Sequence, residues 1–358
     1  SAASGVYKRQ DMNKVVLIGP CGGGKIPANG ASAKNYHLLK FFERKHYNVC
    51  VIDTEFWKTR PWVLINLFFA ILLNRKAKFV VATDNMSGYR VMSVFSYFPR
   101  KRSVLYWVIG GSVGNWIKSG KVKAEPYKIV EWFLVEGPKM QHTLSECGFE
   151  NVIYVPNFKN IAHLPEKQPK VPLHVKFVFL SRIIPAKGCD LILDAVRLLN
   201  PDYEKKYSVE FYGPIEEAYR EEFLSRVNAV ANVSYKGFLD LTDTRNYNIL
   251  AKYDIMLFPT FWHGEGFPGV LIDAYIAGLP VIASDWSLNA DIIKDGFTGR
   301  IIKSNDLCSL KEAMEICLAN PETIPIWVNN CRQEAMTYDI SNVLTDTLLK
   351  KIGIYQSI

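Results

Sequence analysis

The stretch IMLFPTFWHGEGFPGVLIDAYIAGLPVIASD, residues 255–285, contains two short apolar runs separated by a glycine-rich turn and a helical segment. The runs, Ile255–Pro259 and Pro280–Ser284, have the length and apolar character of strands that are buried on both faces. Pro268 falls near the first position of the helical segment, where the helix does not need an N–H. A strand, a helix and a second strand in this order predict a βαβ unit with parallel strands.

The same alternation runs through the rest of the chain. Ten further apolar runs have strand length: Lys14–Gly19, Tyr47–Asp53, Lys78–Thr83, Val104–Ile109, Ile129–Val135, Val152–Val155, Lys176–Ser181, Ser208–Tyr212, Val233–Lys236 and Gly299–Ile302. At 358 residues the chain exceeds the usual size of one hydrophobic core. We therefore expect an α/β fold made of two Rossmann-like, doubly wound domains.

A proline-rich segment predicts the boundary between the domains. Residues 161–172 contain three prolines among charged residues, which indicates a linker. We expect an N-terminal domain at residues 1–160 and a C-terminal domain at residues 173–338. Residues 339–358 have apolar residues at helical spacing and predict a final helix, which could pack on either domain, including back on the first.

Charge is distributed unevenly along the chain. Residues 1–170 contain 25 Lys and Arg against 11 Asp and Glu, whereas residues 171–358 contain 18 against 24. The basic half suggests an anionic partner, which could be a membrane surface, a nucleic acid or a phosphorylated substrate. No zinc finger, RNP-like aromatic pattern or basic helix accompanies this charge, so we do not expect nucleic-acid binding.

The cysteines bear on the cellular compartment. Seven cysteines are scattered along the chain without a CxxC pair, a pattern that favours reduced thiols over a disulfide framework or a zinc site. No signal peptide precedes the first predicted strand. We therefore expect a cytoplasmic protein, with peripheral association at the inner face of the membrane as a further expectation.

The longest apolar run is Trp62–Leu73, whose 12 residues are too few to cross a bilayer. Basic residues lie on both sides of it: Lys58, Arg60, Arg75, Lys76 and Lys78. This composition fits a helix that lies in a membrane interface. The alternative, which we favour, is a buried helix between the second and third strands.

Three loops that follow strands contain the candidate functional residues, because open α/β sheets bind ligands beyond the carboxyl ends of their strands. The first loop is SRIIPAKG, residues 181–188. Arg182 and Lys187 could clamp a diphosphate, since the guanidinium supplies planar donors and the ammonium a point charge. The alternative is a surface loop with two solvated cations.

The second loop is PTFWHGEGFPGVLIDAY, residues 259–275. A helix that begins after glycines offers free N–H groups and the positive end of its dipole, both of which suit phosphate. Glu265 lies in the turn and Asp273 in the second helical turn, where a carboxylate can accept hydrogen bonds from a ribose diol. Alternatively, Glu265 caps the helix and Asp273 is a charge on the helix surface.

The third loop is GPCGGGK, residues 19–25, which contains Gly22, Gly23 and Gly24 after the first strand. It matches the first seven positions of a P-loop, but Ile26 stands where magnesium binding requires Ser or Thr. A P-loop ATPase would also need an acidic residue at the end of a later strand; Asp84 could be proposed, but it stands alone. A nucleoside triphosphatase is therefore an alternative that we do not favour.

These loops, in this order, resemble those of the retaining glycosyltransferases of GT-B fold known as family 4 or glycosyl transferases group 1. The resemblance spans nearly the whole chain and rests on these segments: the glycines at 22–24, VPN at 155–157, SRIIPAKG at 181–188, YKGFL at 235–239, EGFPGVLIDAYIAGLPVIASD at 265–285 and DGFTG at 295–299. The resemblance implies a GT-B fold with two Rossmann-like domains facing a central cleft, and a nucleotide-sugar donor held mainly by the C-terminal half.

The resemblance also implies roles for individual residues. Arg182 and Lys187 would neutralise the leaving diphosphate, and Glu265 would contact the donor sugar or its phosphates. Asp273 would hold the donor ribose. Two further sets are implied: Gly237, Phe238 and Leu239 near the base, and Gly266, Phe267 and Pro268 presenting backbone donors to the phosphates or the sugar.

The chain departs from the family pattern at two places. Asp273 replaces the second Glu of the paired-carboxylate motif, so its side chain is one methylene shorter. No His follows the strand Val104–Ile109, where many relatives have one. We therefore assign no protein nucleophile and expect a front-face mechanism, in which the departing diphosphate oxygen takes the acceptor proton and nearby cations stabilise its charge.

Other titratable residues carry less information. His263 is interpreted as a polar wall residue of the second loop. Glu136 follows a strand of the first domain, where a ligand-facing carboxylate and a solvated one are equally consistent with the sequence. No acidic pair of the DxD kind lies in a suitable loop, so we expect no metal cofactor and activity in EDTA.

The substrates are less defined than the reaction class. The resemblance favours a hexose-type sugar donor, with UDP as the first candidate carrier and GDP as the second. The expected acceptor is a saccharide or a lipid-linked saccharide in the synthesis of a cell-surface polysaccharide such as lipopolysaccharide. A sugar-nucleotide epimerase and a non-catalytic nucleotide-sugar binding protein remain as alternatives.

Overall fold

The computed structural model describes residues 14–24, 27, 29–57, 59–98 and 102–355. Lys25 and Ile26 of the glycine loop, and Lys58 beside the apolar run, lie outside this range. The described chain forms two compact units. The first contains residues up to Asn160 together with those from Tyr338 onward, and the second is Ile161–Thr337.

Twelve strands are present in the described residues, and each end lies within one residue of its predicted position. They are β1 Lys14–Gly19, β2 Asn48–Asp53, β3 Lys78–Asp84, β4 Ser103–Ile109, β5 Val130–Val135, β6 Val152–Tyr154, β7 Val175–Leu180, β8 Tyr207–Tyr212, β9 Val233–Tyr235, β10 Ile255–Phe258, β11 Val281–Ser284 and β12 Gly299–Ile302.

The α-helices of the described residues connect and follow these strands. They are α1 Gly30–Arg44, α2 Trp62–Leu73, α3 Asn85–Ser96, α4 Val113–Lys118, α5 Pro138–Glu146, α6 Cys189–Leu198, α7 Arg220–Asn228, α8 Tyr247–Leu250, α9 Gly269–Ile276, α10 Asn289–Ile292, α11 Leu307–Ala319, α12 Ile324–Ala335, α13 Ile340–Val343 and α14 Asp346–Lys351.

Each unit contains one parallel sheet of six strands. The order is β2-β1-β3-β4-β5-β6 in the first unit and β12-β11-β10-β7-β8-β9 in the second. In both, the first strand of the unit lies between its second strand and a later one, so the strand order reverses there. Ligands of open α/β sheets bind at the carboxyl ends of the strands beside such a reversal. In the second unit this position lies between β7 and β10.

The C-terminal segment was predicted as one helix, and this is wrong. It forms two short helices, α13 and α14, because the helix stops at Leu344 and a new one begins after Thr345. The Thr345 hydroxyl accepts a hydrogen bond from the Leu348 N–H, which is a typical N-cap arrangement. Ile340 and Ile352 are buried in the core of the first unit. The segment thus completes the core of the unit that begins the chain.

Residues 161–172 contain no helix or strand and belong with the second unit. Within that unit, the Lys167 ammonium donates to the Tyr253 carbonyl oxygen over 2.6 Å. The Arg332 guanidinium donates to the Pro165 carbonyl oxygen over 2.7 Å. These side chains fasten the segment to the second unit.

The interpretation of Trp62–Leu73 as a buried helix is wrong for one of its faces. Helix α2 buries only Leu67, Ala70 and Ile71, while its remaining large apolar side chains are exposed or half-buried. The helix covers the sheet with one side, and no other described element covers the opposite side. Among the described residues, no helix is long and apolar enough to cross a membrane.

Gly213, which follows β8, provides a test of the fold around the carboxyl edge of the second sheet. Its φ is +143°, and a Cβ at this position would lie 1.7 Å from the Ser181 carbonyl oxygen. Gly296 also has a positive φ, of +70°, but a Cβ there would meet no heavy atom within 4 Å. We expect Gly296→Ala to lower the free energy of unfolding by about 1 kcal/mol through backbone strain alone. Gly213→Ala should lower it by at least about 2 kcal/mol more, because a backbone clash is added.

Urea unfolding of both variants and the parent chain measures these differences. Equal destabilisation of the two variants would show that the loop after β7 can move away from Gly213 at little cost, which contradicts the packing described here.

Candidate active site

The loops after β7 and β10 contain the predicted catalytic residues, and the sheet places these strands side by side. Gly188 ends the first loop with φ at +81°, and a Cβ on it would lie 2.3 Å from the Pro259 carbonyl oxygen. The Phe261 N–H donates to the Ala186 carbonyl oxygen over 2.9 Å. Glycine is therefore needed at 188, because the backbones of the two loops are in direct contact.

This contact brings Lys187 to Glu265, although they are 78 residues apart in the sequence. Their side chains form an ion pair and are only 5% and 8% exposed. The Thr260 hydroxyl donates a second hydrogen bond to the same carboxylate oxygen over 3.1 Å. Burial lowers the pKa of Lys187, and the attraction of Glu265 opposes this shift only in part. The alternative of a solvated Lys187 is therefore wrong, as is the interpretation of Glu265 as a helix cap.

Trp262 brings Arg182 into the same cluster. The Arg182 guanidinium carbon lies 4.5 Å from the centre of the Trp262 ring, and the Lys187 ammonium lies 4.7 Å from it. Arg182 is exposed, and within the described residues its guanidinium makes no ion pair or hydrogen bond. Two cations therefore lie against one indole, and one of them is paired with a carboxylate. The cluster has a net positive charge, and one cation in it is accessible to an anionic ligand.

The turn that contains Glu265 is held from behind by the segment after β11. The Ser287 hydroxyl donates to the carbonyl oxygens of Glu265 and Gly266 over 2.9 and 3.1 Å. The Trp286 indole N–H donates to the Trp262 carbonyl oxygen over 2.8 Å. His263 is exposed, and its ring packs edge-on against Trp286. These hydrogen bonds hold the loop through its backbone carbonyl oxygens, so side chains of the loop such as Glu265 are left for other interactions.

Helix α9 begins after this turn. Its first residue is Gly269, one position later than the sequence suggested, and no side chain caps its N-terminus. The first N–H groups of a helix lack partners within the helix and suit an anion. Pro268 was expected to present a backbone donor, and this is wrong because proline has no N–H. Its carbonyl oxygen instead accepts from the Leu271 N–H. Phe267 is buried.

Asp273 lies in the second turn of α9 and is 6% exposed. Its carboxylate accepts a hydrogen bond from the Tyr247 hydroxyl over 2.5 Å. The pKa of Tyr247 is raised well above its usual value, first by burial and then by the negative charge of Asp273. The interpretation of Asp273 as a surface charge is therefore wrong. Sequence reasoning missed Tyr247, because nothing in the helix marks the residue that orients Asp273.

The residues expected near the base follow β9, at the same edge of the sheet. Gly237 has φ at +83°, and its carbonyl oxygen accepts from the Gly213 N–H over 2.9 Å. The next side chain, Phe238, is 56% exposed, while Leu239 is buried. An exposed aromatic ring on a backbone fixed to its neighbouring loop can stack against a flat ligand.

The glycine loop of the first unit differs from a P-loop in its contacts. Gly22–Gly24 form a 3₁₀ turn, and the next α-helix begins only at Gly30. The Asp53 carboxylate, at the end of β2, accepts from the N–H groups of Cys21 and Gly23 over 2.9 and 2.7 Å. In a P-loop such N–H groups bind phosphate. Here a carboxylate of the protein already occupies two of them.

Two further acids of the first unit have structural partners. Asp84 caps α3 by accepting from the N–H groups of Met86 and Ser87 over 3.0 and 3.1 Å. Glu136 is buried and forms an ion pair with Lys34, which is itself buried. The alternative of a solvated Glu136 is therefore wrong. Among the described residues, no three His, Cys, Asp or Glu side chains come together as a metal site.

The buried ion pair between Lys187 and Glu265 makes a testable link between charge and stability. Removal of one partner of a buried ion pair typically destabilises a protein by about 3–5 kcal/mol, since the other charge is left uncompensated. We expect Glu265→Gln to lower the free energy of unfolding at pH 7 and to lower the pKa of Lys187 further. Between that lowered pKa and the usual lysine pKa of 10.5, the unfolded chain then binds one more proton than the folded one. Stability should therefore rise with pH across that window.

Urea unfolding at several pH values tests this expectation. The control is Glu334→Gln, because the partner of Glu334, Lys294, is 53% exposed and such pairs contribute little. A loss of stability in Glu265→Gln no larger than in the control, at every pH, would contradict the described burial of the Lys187–Glu265 pair.

Comparison with known proteins finds a family match in the second unit. Residues 161–334 match the family described as glycosyl transferases group 1. A protein of the cps region of Klebsiella pneumoniae is 26% identical over 185 residues, which is 51% of this chain and 46% of that protein. The UDP-Gal:alpha-D-GlcNAc-diphosphoundecaprenol alpha-1,3-galactosyltransferase of Escherichia coli is 32% identical over 87 residues, or 24% of this chain and 22% of that enzyme. The chain thus spans less than half the length of these curated relatives.

A solved structure extends the likeness to nearly the whole chain. Anabaena HepE, crystallised with UDP, superposes with a TM-score of 0.67 over 95% of this chain and 98% of its own, at 14% identity. The two six-stranded parallel sheets agree with this similarity. The chain therefore has the GT-B fold and carries a domain of the glycosyl transferases group 1 family in residues 161–334.

Proposed function

We propose that the chain is a retaining glycosyltransferase that moves a hexose-type sugar from a nucleoside diphosphate to a saccharide or lipid-linked saccharide. The observation that carries the proposal is the cluster of Arg182, Lys187 and Glu265 at the reversal of strand order in the family domain. A diphosphate is the anion that such a cluster suits, because one cation is fixed and buried while the other is accessible.

The cluster is suited to stabilise a leaving diphosphate. When the bond between the sugar carbon and the diphosphate oxygen breaks, negative charge develops on that oxygen. Lys187 is held in place by Glu265, and Arg182 by Trp262, so neither cation has to reorganise as the charge appears. Preorganised charges of this kind often make the largest contribution to lowering the barrier.

Retention of configuration follows from a front-face reaction. The acceptor hydroxyl oxygen forms its bond to the sugar carbon on the face from which the diphosphate departs, and its proton passes to the departing oxygen. Glu265 is not assigned as a nucleophile, because its carboxylate is already engaged by Lys187 and Thr260. In this proposal Glu265 positions the Lys187 ammonium and accepts hydrogen bonds from hydroxyl groups of the donor sugar.

The remaining donor contacts lie along the same edge of the sheet. We assign the ribose to Asp273, whose orientation is fixed by Tyr247. The exposed ring of Phe238 is the proposed surface for the base, with Gly237 and Leu239 as its support. Gly266 and the first N–H groups of α9 are assigned to the phosphates or the sugar. These assignments use a carboxylate for a diol, an aromatic ring for a base and N–H groups for anions.

UDP is the first candidate carrier and GDP the second. HepE was solved with UDP, and the Escherichia coli relative is named for UDP-Gal and for a diphosphoundecaprenol acceptor. The Klebsiella pneumoniae relative is encoded in a cps region. These names support a uridine carrier and a lipid-linked acceptor in cell-surface polysaccharide synthesis. Within the part of the chain that the structure describes, no feature favours the epimerase or the triphosphatase alternative.

The first test concerns the two cations. We expect Lys187→Ala and Arg182→Ala each to lower turnover by about 10²–10³-fold, because each removes charge that stabilises the leaving group. Lys303→Ala is the control, since Lys303 is an exposed lysine of the same unit. Transfer of radiolabelled sugar from UDP-hexoses to a polyprenyl-diphosphate saccharide provides the measurement. Near-parental turnover in Lys187→Ala would refute its role, and isomerised donor without transfer would support an epimerase.

The second test concerns donor binding and metal. A nucleotide that binds only the folded chain adds about 2.7 kcal/mol of stability at a concentration of 100 times its Kd. We expect UDP to raise the melting temperature equally in magnesium and in EDTA, and Asp273→Ala to abolish the shift. Asp254→Ala is the control, because Asp254 is a half-buried aspartate just before β10, at the opposite edge of the sheet. A shift with ATP alone, dependent on magnesium, would contradict the proposal.

A further inference from the structure

The exposed face of α2 is a feature of the described residues that the proposed reaction does not use. Six large apolar side chains on this one helix are 47% exposed or more: Trp62, Leu64, Ile65, Phe68, Phe69 and Leu73. The helix contains no charged residue. Contiguous apolar surface of this kind on a protein marks an interaction site.

The spacing of these residues gives the face its shape. Trp62, Ile65, Phe69 and Leu73 follow one another at intervals of three or four residues, so they form a stripe along one side of the helix. The opposite side packs on the first unit through Leu67, which is buried. A helix of this length spans roughly 18 Å, well short of the 30 Å or so of a bilayer core. The stripe can therefore lie along a surface but cannot cross a membrane.

The charges around the helix all have the same sign. Residues 56–83 contain five Lys and Arg and no Asp or Glu. Arg60 lies just before the helix, Arg75 and Lys76 lie just after it, and all three side chains are exposed. Both ends of the apolar stripe are therefore flanked by cations that can reach anionic groups at the level of the helix.

We propose that α2 is an in-plane membrane helix, which inserts its apolar stripe into the interface of an anionic phospholipid bilayer. The apolar side chains enter the boundary between headgroups and acyl chains, and Arg60, Arg75 and Lys76 pair with lipid phosphates. A second copy of the chain is a poorer occupant, because a symmetric pair of such helices would face cations with cations at both ends. This inference concerns docking and does not depend on the proposed transfer reaction.

A pocket beside the helix extends the same surface inward. It has a volume of about 50 Å³ and lies between α2 and α3, where Leu64 and Val94 line it. At its inner end it reaches Ile18 and Gly19, the carboxyl end of β1. Because Leu64 belongs both to the exposed face and to the pocket lining, the pocket adjoins the exposed face of the helix, although Thr83, Ser87 and Arg90 also line it.

The test is co-sedimentation of the full chain with vesicles of phosphatidylcholine alone and of phosphatidylcholine mixed with phosphatidylglycerol. The double variant Ile65→Ser/Phe69→Ser removes two side chains of the stripe that are 57% and 50% exposed. The matched control is Leu198→Ser/Ile326→Ser, which removes two side chains of the second unit that are 52% and 61% exposed. We expect binding to the anionic vesicles to fall about tenfold or more in the first variant and to stay unchanged in the control.

A second pair of substitutions tests the charges. Arg75→Gln/Lys76→Gln should weaken binding to the anionic vesicles by about tenfold, while the weak binding to neutral vesicles stays as it is. Added salt should weaken the parent chain on anionic vesicles in the same direction.

Two outcomes would overturn the proposal. One is equal binding of the parent chain and of Ile65→Ser/Phe69→Ser to anionic vesicles. The other is a change in the mass of that variant by light scattering with vesicle binding unchanged, which would make the stripe an interface between copies. Neither measurement uses donor or acceptor, so failure of the docking proposal is distinguishable from failure of the proposed reaction.

Discussion

The candidate site depends on one close approach between two backbones. Gly188 lies against the Pro259 carbonyl oxygen, in space that no side chain could share. This contact places Lys187 under the loop after β10, where an ammonium is tolerated only because Glu265 meets it. Once that pair is buried, Trp262 lies beside it and offers its ring to Arg182. The fixed cation, the accessible cation and the carboxylate thus all follow from the way the two loops touch.

The sequence predicts the strands well and their neighbours less well. Strands buried on both faces are continuous apolar runs ended by glycine, proline or charge, so their limits can be read to within one residue. The loops that contain Arg182, Lys187 and Glu265 could be identified because they follow such runs. Which strands lie side by side is a property of the whole sheet. Local patterns therefore could not show that Lys187 meets Glu265, or that Tyr247 orients Asp273.

The features that the sequence did not reveal have two physical causes. Some depend on a partner that is distant in the chain, and others lie in segments whose apolar residues do not distinguish a buried side from an exposed one. Asp53 accepts a hydrogen bond from the N–H of Gly23, which lies 30 residues earlier in the chain. Because this partner is distant in the sequence, the glycine loop taken alone resembles a phosphate site. Helix α2 is apolar on both sides, and an amphipathic pattern can only separate inside from outside when the two differ. One short helix stops at Leu344 and Thr345 caps the next, although the apolar spacing continues across them.

The distribution of charge supports different partners for the two halves of the chain. Residues 171–358 are acidic overall, yet they contain the cluster in which two cations meet one carboxylate, so attraction for an anion there is local. Residues 1–170 are basic overall, but the buried Lys34 is paired with Glu136, and Asp53 accepts hydrogen bonds from two N–H groups of the glycine loop. Exposed cations such as Arg60 and Arg75 remain at the surface. Surface charge of one sign acts over distance on an extended partner rather than on a ligand in a pocket. The excess of the first half is therefore better suited to a charged surface such as a bilayer.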